Sequence, residues 1–433
     1  MLTETDVARQ AMLKASWRTL PLLGLAYLVA YMDRVNVSFA ALQMNADLGF
    51  TATAYGLGAG LFFLSYALFE VPSNIILAKV GARRWIARIM ITWGLVAMGM
   101  MFVRTPLQFY LMRFLLGIAE AGFVPGVIFY LSHWFPSRYR GRAISRYYVW
   151  SSISGMLMGA ISGWLLSLGG IHWLKGWQWL FLITGLPAVV VGLLILRLLP
   201  DSPAVVTWLN GDERAWVERE LRREADALGE PSTRNLLAAL TNPVVLRLGL
   251  FGLLTVGASI TLILWVPQLL RDETGLDPVR VGWITSAGSM LGAISVLICG
   301  SWSDRRGERF SLLLFATAAV GVTYLAMSLG LGRSVAVVVG AYLVWAFATM
   351  FVASCSIMLW PDLLHPRQLA VGLAAANTMT QIGAFAMPYA WGAAKDATGS
   401  FRIGLLGLVA ATFLAWLIGY AQAQQTRTLG EPL

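Results

Sequence analysis

Two stretches of this 433-residue chain put ionisable side chains where apolar ones are expected. One reads YMDRVNVSFAAL and holds Asp33 and Arg34; the other reads RFLLGIAEAGFVPG and holds Arg113 and Glu120. Both lie in apolar runs long enough to cross a bilayer, where an ionised group costs from roughly 3 to above 10 kcal/mol. The four must therefore face a cavity and neutralise one another. Such a set can bind an anion and move protons. An arginine fork offers a carboxylate two parallel donors, and a buried carboxylate changes its proton affinity when a nearby cation is engaged elsewhere. On that chemistry Arg34 receives the negative charge of a small molecule, and Asp33 and Glu120 carry protons. The competing reading is an ion-pair network that only locks two helices together.

Spacing refines this. Arg113, Gly117 and Glu120 follow i, i+4, i+7, so they share one helical face, with the small Gly117 leaving room for a neighbouring chain. With a rise of about 1.5 Å per residue, Asp33 lies roughly 14 Å and Arg113 roughly 9 Å from the outer ends of their spans, and Glu120 roughly 20 Å in. Asp33 and Arg113 are thus placed to meet, while Arg34 points about 100° around the helix from Asp33. Covalent chemistry is not indicated: there is no nucleophile beside a base, no phosphate-binding loop and no metal set, and no cofactor is expected. Cys299 and Cys355 sit in apolar runs and read as packing residues.

The elements that must position these groups follow from composition. The chain is 58% hydrophobic and only 12% charged, which excludes a soluble enzyme and predicts a membrane protein from end to end. Apolar runs fall near 19–42, 54–78, 85–103, 107–132, 143–168 and 178–199, then near 244–270, 280–302, 310–329, 334–359, 368–394 and 403–422. The expected fold is all-α: twelve transmembrane helices in two six-helix bundles, 1–199 and 244–433, joined by a cytoplasmic linker, 200–243. Within the linker DERAWVERELRREADAL predicts an amphipathic helix lying along the membrane surface. Most of the 32 Lys and Arg fall on the side that holds both termini, so the positive-inside rule makes that side cytoplasmic. The net charge of +10 is then topology, and no nucleic-acid partner is expected.

The halves also echo one another. NIILAKVGARRW follows the second span and GSWSDRRGERF the eighth, and Trp134 and Trp360 recur at the same offset, which suggests a duplicated six-helix unit. Gly300, Asp304, Arg305, Gly307 and Arg309 stand in the pattern G-x-x-x-D-R-x-G-x-R, which resembles the cytoplasmic loop motif of the major facilitator superfamily. An acidic residue among arginines at a helix end can clasp two helices in one conformation and release them in another. The first copy keeps Gly81, Arg83 and Arg84 but has Asn74 and Ala78 in place of the leading Gly and the Asp, so its clasp must be made differently.

YMDRVNVSFA, FEVPSN, RFLLGIAEAGFVPG, HWFPSRYRGRA and LPDSP together resemble the anion:cation symporter branch of that superfamily, which carries tartrate, galactonate, phthalate and similar organic acids. The resemblance implies that Asp33 and Glu120 are protonation sites, Arg34 the substrate-binding arginine and Arg113 an arginine moving between the carboxylates. It also implies cavity hydroxyls at Tyr31 and Tyr66 and a substrate contact at Asn377. Ser152 stands where sugar-acid carriers of the branch have a Gln. The expected activity is proton-coupled uptake of a small organic carboxylate, with a tartrate-like hydroxydicarboxylate favoured, by a monomer in the bacterial inner membrane. The alternatives are a proton-coupled exporter of the same fold and a non-transporting membrane sensor.

Other signals are weaker. Glu70, beside Pro72 and Asn74, reads as a capping or gating carboxylate. Gly155, Gly159 and Gly163, with Gly288 and Gly292, read as faces for close helix packing. The second half has no charge in the middle of any span, which leaves recognition there to hydrogen bonds and shape.

Overall fold

In lipid every backbone N–H and C=O must be satisfied within the chain, so long apolar runs fold as helices. The computed structural model describes residues 4–228, 241–306, 309–364 and 366–428. Its helices are α1 (Glu4–Leu48), α2 (Ala52–Val80), α3 (Ala82–Gly99), α4 (Pro106–Glu120), α5 (Phe123–Ser132), α6 (Ser137–Ser167), α7 (Gly176–Leu198), α8 (Gly211–Leu228), α9 (Pro243–Thr274), α10 (Pro278–Arg306), α11 (Arg309–Gly330), α12 (Val335–Leu359), α13 (Pro366–Thr398) and α14 (Arg402–Thr428). Among the described residues there is no strand.

Ten segments, with α4 and α5 counted as one, are long and apolar enough to cross a membrane. Two further helices, α1 and α13, are longer still but fall short of that apolarity, because Asp33, Arg34 and Asn36 interrupt one and Asn377 and Gln381 the other. The two polar helices bring the set to the expected twelve. Both carry candidate site residues, Tyr31, Asp33 and Arg34 on α1 and Asn377 on α13.

The fourth span departs from the single helix expected over 107–132. It breaks directly after Glu120: Ala121 leaves the helix and Gly122 takes a left-handed φ of 85° before α5 begins. A side chain at Gly122 would be strained by that φ, and its Cβ would lie 2.4 Å from Ser73 Oγ. The freed carbonyl of Ala121 accepts from Ser73 Oγ at 2.6 Å, which removes the cost of an unpaired backbone group in the membrane.

Two bundles pack side by side. In the first, α3 lies on α7, α1 on α6, and α2 on α4; in the second, α11 lies on α12 and α14, and α9 on α14. They meet along two seams, α2 against α13 and α6 against α10. The α6 seam uses the predicted glycine face. A Cβ on Gly159 would come within 2.5 Å of Ser286 Oγ and 2.6 Å of the Gly282 carbonyl, so only glycine permits this approach.

On the face opposite the termini the bundles are clasped. The Asp396 carboxylate, at the end of α13, accepts from the backbone N–H groups of Ala52 and Thr53 at 2.9 and 2.7 Å and from Thr53 Oγ1 at 2.5 Å. An acceptor from one bundle thus caps the first turn of α2 in the other, where helix N–H groups lack partners and the helix dipole favours negative charge. Tyr55 donates to the Leu264 carbonyl at 2.8 Å, and Arg271 donates to the Leu42 carbonyl.

The linker helix was expected to lie along the membrane surface. Helix α8 docks on the first bundle. Glu213 is fully buried and takes both carboxylate bonds from Lys14 at 2.8 Å, on an extension of α1 that begins well before the predicted span. Glu224 accepts from the Ser137 N–H at 2.5 Å and from Arg140 Nη2 at 2.7 Å. Against the opposing pull of partial burial, those contacts hold its carboxyl below the usual carboxylate range. Trp216 and Val217 are buried beneath the helix.

Candidate functional site

Helix α1 brings Arg34 to Glu120 at the broken end of α4. Arg34 Nε donates to Glu120 Oε1 at 2.6 Å, and Nη2 lies 2.6 Å from the same oxygen in the ion pair. The carboxylate is fully buried, whereas 23% of the arginine side chain is exposed, so the pair sits at a cavity wall with the cation outermost. Glu120 Oε2 has no hydrogen-bond partner. The guanidinium also lies over the Tyr66 ring, 5.2 Å from its centroid, an arrangement that stabilises a cation partly removed from water.

Asp33, one residue earlier, turns into the bundle. It is 1% exposed and accepts from Asn36 Nδ2 and Trp93 Nε1, each at 2.8 Å. Asn36 Nδ2 also reaches Thr184 Oγ1 at 2.9 Å, which ties the carboxylate to α3 and α7. Arg113 is equally buried. It donates through Nη2 to the Ala59 carbonyl at 3.3 Å and lies over Phe62, 4.9 Å from the ring centroid. The expected meeting of Asp33 with Arg113 is not made: among the described residues no ion pair within 4.0 Å joins them, and Arg34 instead takes a carboxylate. Depth along a span predicts level but not facing, and it is the rotation of α1 that decides which of the two neighbours, Asp33 or Arg34, reaches α4.

Beside this charge set lies a chamber between the bundles. Tyr31 and Ser152 line it from the first, and Tyr342, Trp345, Thr349 and Met350 from the second, with about 110 Å³ of free space. Tyr31 and Arg34 are one turn apart on α1, which sets chamber and charge side by side. No lining residue is charged. Trp345 Nε1 is buried without a partner, and Thr349 Oγ1 shares a hydrogen bond of 2.7 Å with Ser259.

Asn377 lies apart from that chamber. From α13 its Nδ2 donates to Glu70 of α2 at 3.2 Å. In the first loop motif, Gly81 ends α2 with φ 95°, Arg84 is exposed, and Arg83 pairs with Asp201 of the LPDSP turn at 2.9 Å. The missing acid of that motif copy is thus replaced from the linker. Gly307, and the side chains of the other members of the second copy, Gly300, Asp304, Arg305 and Arg309, lie outside the described residues.

Sequence reasoning missed Asn36, Trp93 and Thr184. Asn36 carried a signal, being one turn from Asp33 on the same face; Trp93 and Thr184 carried none.

Comparison with known proteins places this architecture. The model of the Major Facilitator Superfamily matches residues 23–388. A protein of Agrobacterium vitis named "Putative tartrate transporter" is 40% identical over 414 residues, 93% of this chain and 92% of its own length. A "Quinolone resistance transporter" of Acinetobacter baumannii is 37% identical over 437 residues, 99% of each chain. Among solved structures, a bacterial homolog to the human lysosomal transporter Spinster, in an inward-facing and unoccupied conformation, superposes with a TM-score of 0.75 at 18% identity, covering 95% of this chain and 97% of that one; that likeness shows the fold. The chain belongs to the Major Facilitator Superfamily and is a membrane transporter.

Proposed function

We propose that this transporter is a proton-coupled symporter that takes up a small organic carboxylate. The observation that carries the reading is the pairing of Arg34 with Glu120, a partly exposed arginine held by a fully buried carboxylate. A substrate carboxylate needs the same two donors that Glu120 now occupies. Once Glu120 takes a proton it gives up the arginine, which is then free to hold the anion; when the proton leaves, Glu120 reclaims the arginine and expels the substrate. Removing either partner from such a buried pair strands the other at a cost of about 3–5 kcal/mol, so proton and anion exchange places rather than leave the arginine bare. Asp33, held by Trp93 and Asn36, is the second proton carrier, and Arg113 is the counter-charge behind Phe62.

Tyr31, Tyr66 and Ser152 contribute hydroxyls around the anion, and Asn377 a contact from the second bundle. Transport proceeds by rocking 1–199 against 244–433 about the site, with 200–243 as the linker, in a bacterial inner membrane with both termini cytoplasmic. The Asp396 contact with α2 is the clasp that opens when the bundles rock apart on that face. A tartrate-like hydroxydicarboxylate is the favoured substrate, supported by the wording of the first span and by the name of the Agrobacterium relative.

A second reading, proton-driven export, is favoured by the name of the Acinetobacter relative. It uses the same Arg34 and Glu120 with opposed fluxes. Thermal-shift screening of the purified protein against organic acids, repeated with Arg34→Ala, tests the anion site: stabilisation by the same acid in both proteins would contradict it. In proteoliposomes an inwardly directed proton gradient then drives the stabilising acid inward under symport and outward under export.

A further inference from the structure

Glu70 is a carboxylate within a span that the exchange between Arg34 and Glu120 does not use. It sits at the inner end of the α2–α13 seam, whose outer end is the Asp396 clasp. Its Oε2 accepts from Asn377 Nδ2 at 3.2 Å, with Oε1 at 3.5 Å. On the other side of the amide, Thr380 Oγ1 approaches Asn377 Oδ1 at 3.4 Å while donating to the Asn377 backbone carbonyl at 2.6 Å. An amide side chain can present either its oxygen or its nitrogen to a neighbour, and a carboxylate accepts only from the nitrogen. Glu70 therefore selects one of the two amide orientations. The Asn377 side chain is exposed beside this contact, so its amide nitrogen can also be approached by a substrate acceptor. Glu70 stands on α2, in the bundle that carries Arg34, so the contact joins the arginine's bundle to the amide of the second.

We propose that Glu70 is a positioning residue of the transport site: it fixes Asn377 as a hydrogen-bond donor toward the substrate and ties that donor to the Arg34 side of the cavity. The substrate atom recognised at this point is then an acceptor oxygen, from a carboxylate or a hydroxyl, and not a donor. The contact crosses from one bundle to the other, so the donor is in register with Arg34 only while α2 and α13 are packed at this level. Rocking the bundles apart at the inner end withdraws the amide from the arginine's side and weakens the hold on the substrate. This rests on the proposed role of Asn377 in substrate binding.

The test is a double-mutant cycle on the full chain, with binding of L-tartrate, D-galactonate, phthalate and benzoate measured by calorimetry. Glu70→Ala weakens the best-bound acid by about tenfold, the scale of one charge-assisted hydrogen bond. Glu70→Gln costs less than about threefold, because its amide oxygen still accepts from Asn377. The double variant Glu70→Ala/Asn377→Ala binds no more weakly than Asn377→Ala alone, since both changes remove one coupled contact. Wild-type affinity in Glu70→Ala, or losses that multiply in the double variant, would overturn the proposal. In parallel, spin labels at Ile76→Cys on α2 and Ala374→Cys on α13 report the inner end of the seam directly. The distance distribution widens in Glu70→Ala and is restored in Glu70→Gln; an unchanged distribution contradicts the tie. If none of the four acids binds the wild type, the carboxylate reading fails, and the spin-label measurement still decides the role of Glu70.

Discussion

Helices α1 and α4 bury Asp33, Arg113 and Glu120 in the first bundle and hold Arg34 partly exposed beside them, whereas the chamber wall that the second bundle contributes includes Tyr342, Trp345, Thr349 and Met350. The difference is one of chemistry and of packing. In the first bundle each charge has a partner of its own: a carboxylate for Arg34, an indole and an amide for Asp33, a backbone carbonyl and an aromatic face for Arg113. In the second the polar groups are neutral, and Trp345 Nε1 is left without a partner. A bundle that holds exchangeable charges can respond to protons; a bundle of hydroxyls and indoles can respond to shape. Under the proposed alternating access the two are coupled, because each wall supplies part of the proposed site.

The comparison breaks most visibly at Arg34. Arg34→Ala removes the only cation the site presents to solvent and leaves Glu120 buried without its partner, so affinity for the stabilising acid falls by about 2–5 kcal/mol, more than thirtyfold in Kd. Isothermal titration checks this. Trp345→Phe, on the neutral wall, removes one donor and no charge; the expected loss is about 1 kcal/mol, roughly fivefold, with proton coupling unchanged in a transport assay. Equal losses at the two positions would erase the proposed division between the walls.

The outer clasp gives a smaller effect. Asp396→Asn loses the charge that caps α2 from the opposite bundle, and the carboxylate is exposed, so stability changes little. Its signature is conformational: thiol labelling from the outer face at a cysteine placed in the chamber, Ser152→Cys, speeds up relative to the same reporter with Asp396 intact. The smallest effect is at the linker. The Glu224 carboxyl is held below its ordinary value, so its contribution is present above the unfolded pKa of about 4.3 and is lost as pH falls through the lower folded value. The melting-temperature difference between wild type and Glu224→Gln should therefore shrink toward zero on acidification; a difference that persists at low pH would mean that the variant acts through something other than the lost charge, and no difference at any pH would mean that α8 docks without Glu224.

Most of the architecture was readable from composition and period, because a membrane permits so few ways of satisfying a backbone. The twelve spans, the polar linker helix and the glycine face of α6 all follow from that restriction. The helix break at Gly122 was not read, although GFVPG contains the two residues that make it; glycine and proline are common enough in spans that neither marks a break by itself. At the site, the four charges were legible because a charge in an apolar run has no cheap structural explanation. Their pairing was not. Asp33 and Arg34 are adjacent, and which one meets α4 depends on how α1 is rotated against α3 and α7, which is fixed by Trp93, Asn36 and Thr184. Asn36 carried a signal in its spacing from Asp33, but nothing in the sequence announced Trp93 or Thr184. The Glu70–Asn377 contact joins positions 307 residues apart and became visible only in the packed seam.

The central claim is that Glu120 exchanges its hold on Arg34 for a proton when the anion arrives. Glu120→Gln in proteoliposomes tests it most directly, because the amide keeps the shape and one acceptor but cannot titrate. The expected result is a folded protein that still exchanges labelled acid across the bilayer and no longer accumulates it under an inward proton gradient. Normal accumulation by Glu120→Gln would exclude the exchange.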